Sequence, residues 1–179
     1  MSVRAFYADW AGYNRRVVEG VRALPLEALE LRVPDSDHWP VWRIVGHMGR
    51  ARIWWLCAVF GEAGADRTPF NSLNNEEWVA LGRPASAASL ADDFATSWSV
   101  VSDCLDRWTP ERLTETQRET EAGHDELHTR QSILLRLITH EAYHVGEINL
   151  ALGVVGYEPI DLWPGDDWAV GAPASLREG

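Results

Sequence analysis

The residues of this 179-residue chain best equipped for chemistry stand together in Thr139–Ile148, THEAYHVGEI. His140 and His144 are four residues apart, so on a helix the second imidazole is rotated only about 40° from the first and lies one turn further along. Such a pair can clamp one divalent ion. Glu147 follows His144 by three residues and returns to nearly the same face, where it can act as ligand, proton acceptor or anchor for a ligand's second ring nitrogen. It is the expected catalytic residue. Glu141 sits about 100° round the helix from His140, so it is expected to point past the ion, and its replacement by glutamine should do little.

Two histidines do not complete a zinc site, because catalytic zinc usually has three protein ligands and an open fourth position. His47 is the expected third ligand. It lies in IVGHMGRARIWW, mid-helix and among apolar neighbours, where a solvated histidine would be out of place. A second long helix can bring it opposite the first pair in a bundle core. His38 precedes that helix, and His124 and His128 fall in a polar region, so all three read as exposed loop histidines. Arg43 and Arg50 share the His47 face at i−4 and i+3, and read as solvated charges in preference to anion ligands. The expected cofactor is one divalent metal ion at His47, His140 and His144: zinc first, with nickel or iron as alternatives.

Four segments with helical periodicity must position these residues. The first carries Val3, Phe6, Tyr7, Trp10, Val17, Val18 and Val21 as one stripe and ends before Pro25. The second runs from about Val41, after Pro40, to Phe60, and is stopped by Gly61 and Gly64. The third starts near Ser89 as cap and continues through Leu90, Phe94, Trp98, Val101, Leu105 and Trp108 to Pro110. The fourth spans roughly 131–152 and is followed by Gly153 and Gly156. Between the last two, Thr114, Thr116, Arg118 and Thr120 alternate with polar residues ahead of Gly123, which suggests a short hairpin. Residues 61–85 and 157–179 hold 11 of the 23 Gly and Pro residues and read as a long connection and an irregular tail. The expectation is a single all-α domain with a core of about 1–155. Most tryptophans fall on helical stripes and read as core, while Trp39, Trp42, Trp163 and Trp168 could line a pocket mouth.

Composition narrows the function. A formal charge of −11 without any local basic cluster argues against nucleic acid. The longest apolar run, Ile53 to Phe60, is far short of the ~20 residues a bilayer span needs, so no membrane association is expected. The N-terminal MSVRAFYADW lacks the continuous apolar segment of a secretory signal, and Cys57 and Cys104 both lie in helical apolar patterns, so a cytoplasmic protein with reduced core thiols is expected. Neither cysteine has a visible partner base for nucleophilic catalysis.

WPVWRIVGHM on the second helix together with HEAYHVGEI on the fourth resembles the DinB-like superfamily, also called the YfiT-like metalloenzymes, over about residues 1–155. The resemblance implies an up-down-down-up four-helix bundle, often a homodimer, that binds zinc, nickel or another divalent ion through three histidines matching His47, His140 and His144. It also implies thiol chemistry: relatives use mycothiol, bacillithiol or glutathione for S-transfer or isomerisation, with a small-molecule thiol and an electrophile as partners. Glu147 stands where the family commonly has glutamine. Two other readings compete. His140-Glu141-x-x-His144 also satisfies the HExxH pattern of zinc metallopeptidases, with Glu147, Glu158 or Asp161 as the downstream ligand. The third reading is a non-enzymatic metal- or ligand-binding protein.

Overall fold

A computed structural model describes residues 2–34, 37–70, 75–120 and 125–163. Gly123, His124, Trp168 and the end of the expected tail lie outside them. The described chain is mostly helical with one two-stranded sheet. A 3-10 turn, Val3–Tyr7, leads into α1 (Ala8–Ala23), whose Trp10, Val17 and Val21 form the buried stripe. Phe6, which the periodicity placed on the same stripe, is exposed because it belongs to the 3-10 turn, where the three-residue period swings it outward.

Pro40 closes an extended approach to α2 (Val41–Ile53), which continues without a break into six residues of wider π winding, Trp54–Val59. Gly61 and Gly64 then adopt positive φ, 69° and 115°, as a helix stop requires. The connection beyond is less irregular than the sequence suggests: it contains a 3-10 turn, Ala65–Arg67, and a short helix α3 (Asn75–Ala80). Two of its aromatic rings, Phe70 and Trp78, are seated directly on the α2 backbone. A Cβ at Gly46 would lie 1.9 Å from Trp78, and one at Gly49 would lie 2.5 Å from Phe70. These two glycines flank His47 in sequence and let the connection close over the side of α2 away from the site.

The next helix, α4 (Ala87–Arg107), begins three residues earlier than expected. Ser86 is the cap, and Ser89 is its reciprocal partner three residues on, so the pattern was read one step late. After a single turn, α5 (Pro110–Leu113), the strands β1 (Thr116–Glu119) and β2 (Glu126–Thr129) pair antiparallel with Thr116 opposite Thr129. Thr129 caps α6 (Arg130–Val154), the longest helix, through a second capping box with Ser132. The described part of the expected tail is pinned to the helices: the Asn149 side chain exchanges two hydrogen bonds with the backbone of Ile160, 2.7 and 3.0 Å, and Arg16 Nη1 donates to the Leu162 carbonyl at 3.1 Å.

Helix α1 packs on α4, α4 on α2, and α2 on α6, with a shared apolar core that includes Trp10, Val45, Met48, Phe94, Leu134 and Ile148. Each such side chain contributes roughly 1.5–3 kcal/mol by leaving water. Through this core runs one buried polar network. Arg52 of α2 forks onto Glu141 of α6 with Nε–Oε1 2.7 Å and Nη2–Oε2 2.9 Å, and donates from Nη1 to Asn14 of α1 and Ser97 of α4. Trp10 Nε1 also donates to Glu141, at 3.0 Å. No helix among the described residues is long and apolar enough to cross a membrane.

Candidate metal centre

His47 projects from the middle of α2, and His140 and His144 project from successive turns of α6, so the packing of these two helices closes the triad. The Nε2 atoms converge: His47 to His140 is 2.9 Å, and His144 to His140 is 3.1 Å. One ligand atom from each ring lies within 4.8 Å of the other two. A single ring nitrogen carries either one N–H or one lone pair in the ring plane. His140 Nε2 therefore cannot hydrogen-bond both neighbours at once, whereas three lone pairs aimed at a common cation fit the arrangement. Two nitrogens about 2.0–2.1 Å from one zinc stand about 3.4 Å apart at the tetrahedral angle, a few tenths more than these spacings.

The electrostatics agree with a neutral donor set. His47 is pushed down to about 3, first by burial and then by His140, His144, Arg50 and Arg43. His140 is pushed down to about 4, again first by burial and then by His144. Both rings hold their lone pairs free across the ordinary pH range, which is the state a metal ligand needs.

The far sides of the two α6 histidines are held differently. His144 Nδ1 meets Glu147 Oε2 at 2.5 Å, and the other oxygen of that carboxylate meets His38 Nδ1 at 2.9 Å. Glu147 thus orients the imidazole, in the carboxylate–histidine arrangement that commonly supports a metal ligand. His140 Nδ1 is buried and has no hydrogen-bond partner among the described residues. Glu147 is on the ligand face, as the spacing predicts; its two oxygens meet two imidazoles, and it lies outside the convergent cluster of His47, His140 and His144.

An open cleft of about 430 Å³ adjoins the triad and is lined by Asp37, His38, Trp39, Ile44, Tyr143, His144 and Glu147. Trp39 stands edge-on to His47, ring centroids 5.0 Å apart. Among the described residues, Trp39 alone of the tryptophans expected at a pocket mouth lines this cleft. Trp42 is buried against Trp78, and Trp163 packs on Tyr13.

One histidine expectation needs correction and one is extended. His38 is exposed, as expected, and is also tied to the site through Glu147; its position just before Pro40 and the helix of His47 is the available signal. His128 is buried, not exposed, because β2 lays it edge-on against Trp55 with centroids 4.8 Å apart. Glu141 also differs from its expectation of idleness: it does point past the triad, but into the buried arginine network. Burial pushes the Cys104 thiol up to about 12, and the Cys57 thiol is raised for the same reason, so neither offers a ready thiolate.

No curated protein sequence matches the chain. Among solved structures, it is similar to the crystal structure of a DinB-like protein from Bacillus cereus ATCC 10987, with a TM-score of 0.67 and 19% identity, covering 92% of this chain and 97% of that one. This likeness concerns the fold. The family model of the DinB superfamily matches residues 12–148, which include His47, His140 and His144. The chain belongs to the DinB superfamily.

Proposed function

We propose that His47, His140 and His144 hold one divalent metal ion, zinc first with nickel or iron as alternatives, and that the protein is a metal-dependent thiol S-transferase or isomerase. The observation that carries the metal reading is the convergence of three Nε2 atoms that no hydrogen-bonding pattern can satisfy together. A divalent ion there supplies Lewis-acid chemistry, lowering the pKa of a thiol or water that joins it. The chain's own residues do the rest. Glu147 holds the His144 ring in register and is placed to accept a proton relayed through it, and His38 fixes the second carboxylate oxygen. Trp39, Ile44 and Tyr143 give the cleft apolar walls for a small thiol and its electrophile.

As the resemblance implies, the reading includes an up-down-down-up arrangement of α1, α2, α4 and α6 and a homodimer in which the exposed Leu135, Leu150 and Val154 of α6 would be covered; two free cysteines, Cys57 and Cys104, suit the cytoplasmic location we propose with it. One observation weighs against the peptidase reading. The glutamate after the first histidine of HExxH must activate water beside the metal. Glu141 instead accepts three hydrogen bonds from Arg52 and Trp10, and its side chain is 9% exposed.

Cobalt substitution tests the proposal. The visible spectrum of the cobalt-loaded protein should change on titration with a small thiol, which requires an open coordination position. A spectrum indifferent to thiols and azide would leave a closed, structural metal and remove the transferase reading.

A further inference from the structure

The buried residues of α6 are apolar except for two, Arg130 in its first turn and Glu141 in its middle. On α2 the one charged residue among those buried is Arg52. These two helices join their interior charges to each other. The Arg52 guanidinium, 0% exposed, forks onto the Glu141 carboxylate at 2.7 and 2.9 Å, and its remaining nitrogen reaches Asn14 of α1 and Ser97 of α4. The desolvation of two buried charges largely offsets their attraction, so such a pair adds little net stability over apolar side chains; its best use is to impose an alignment. Helix α6 needs one. It carries Leu135, Tyr143, Leu150 and Val154 on its exposed side, so apolar burial, which has no direction of its own, discriminates weakly between rotations of this helix. A shift of α6 by one residue would carry its side chains about 100° round and about 1.5 Å along, which takes both of its histidines off the His47 side.

We propose that the Arg52–Glu141 fork sets the register of α2 against α6 and thereby holds His47 within reach of His140 and His144. The two residues are positioning residues for the metal centre, not ligands. The fork stands beside the triad on both helices: Glu141 follows His140 directly, and Arg52 follows His47 by five residues. A two-pronged guanidinium–carboxylate contact is planar and directional, so one rotation and one height of α6 satisfy both oxygens. Trp10 Nε1, 3.0 Å from Oε2, holds the carboxylate from α1 as well. The proposal rests on the metal reading for what the triad binds, whereas the alignment is a property of the metal-free protein.

The test compares wild type, Arg52→Lys and the double variant Arg52→Met with Glu141→Leu for cobalt affinity, by chelator competition, and for the visible spectrum of bound cobalt. Lysine keeps the charge but loses the fork, and the double variant removes both charges while keeping most of the stability. Each should bind cobalt about 10-fold or more weakly than wild type, with an altered visible band, because the three rings no longer share one geometry. Leu105→Ala, a core truncation on α4 at a residue 1% exposed, should lower stability and leave cobalt affinity and spectrum as in wild type. Wild-type affinity and spectrum in either fork variant, or an equal loss in Leu105→Ala, overturns the proposal. A second measurement needs no metal. Nuclear Overhauser contacts between the His47 ring and the His140 and His144 rings should form one set in wild type, and should weaken or multiply in the double variant. One native set in that variant overturns the alignment whatever cobalt does. A wild type that takes up no cobalt, beside a double variant that loses the native set, upholds the register and removes the metal reading alone.

Discussion

Replacing Glu141 by glutamine separates the buried network from every catalytic role the sequence offers it. Three donors, Trp10 Nε1, Arg52 Nε and Arg52 Nη2, converge on this one carboxylate at 2.7–3.0 Å. An amide has one oxygen to offer and turns its NH2 towards at least one of these donors. The Arg52 side chain is 0% exposed, so its charge has no water to fall back on. Removing one partner of such a buried pair typically costs about 3–5 kcal/mol, and in a domain of this size each kcal/mol lowers Tm by about 2–4 °C. The expected loss is therefore roughly 6–20 °C in a thermal melt of the metal-free protein. Arg4→Gln is the internal control, because the Arg4–Asp106 pair is 40% and 53% exposed and should cost about 1 kcal/mol or less. Arg52→Met with Glu141→Leu should recover most of the stability by removing both charges together. A Glu141→Gln melt within 2 °C of wild type would refute the reasoning, and casein hydrolysis abolished in a protein of unchanged stability would revive the peptidase.

Other predictions follow from the site and its support. Glu147→Gln should keep the fold but weaken metal binding about 10–100-fold in a chelator competition, because His144 loses the carboxylate that orients it. The metal-free protein should lose stability in acid. His47 and His140 have folded values of about 3 and 4 against an ordinary 6.5, so the unfolded chain takes up protons first. Urea midpoints should hold above pH 6.5 and fall as pH drops towards 4, with His47→Ala flattening the decline; a flat wild-type profile contradicts the assigned burial. Gly46→Ala should destabilise by about 1–3 kcal/mol because its methyl would occupy the place of the Trp78 ring. Gly153→Ala, whose methyl meets nothing within 4 Å, should stabilise by about 0.5–1 kcal/mol, so chemical unfolding of the two variants should move in opposite directions.

Much of the site was legible because helical periodicity is local. The four-residue step from His140 to His144 and the apolar setting of His47 pointed to the three residues that α2 and α6 bring together. What stayed hidden depends on which elements meet. Nothing in the neighbourhood of Glu141 announces Arg52, 89 residues away, or Trp10, 131 residues away. His38 and His128 sit in polar stretches, and only tertiary packing gives one a carboxylate and the other an indole ring. The helix α3 is short and follows a Gly- and Pro-rich segment, so its period is too brief to register, although Gly46 and Gly49 mark the surface it needs. The cap of α4 was displaced because two serines three residues apart both qualify, and the reciprocal bonds of the capping box decide which is outside the helix.

The central claim is that the three histidines form one metal site, and metal stoichiometry in the purified protein tests it most directly. Elemental analysis of protein reconstituted with zinc and freed of excess should give about one equivalent in wild type and less than half an equivalent in His47→Ala, His140→Ala and His144→Ala, since each removes one of three ligands. One equivalent retained by all three variants, or none bound by a folded wild type, would contradict it.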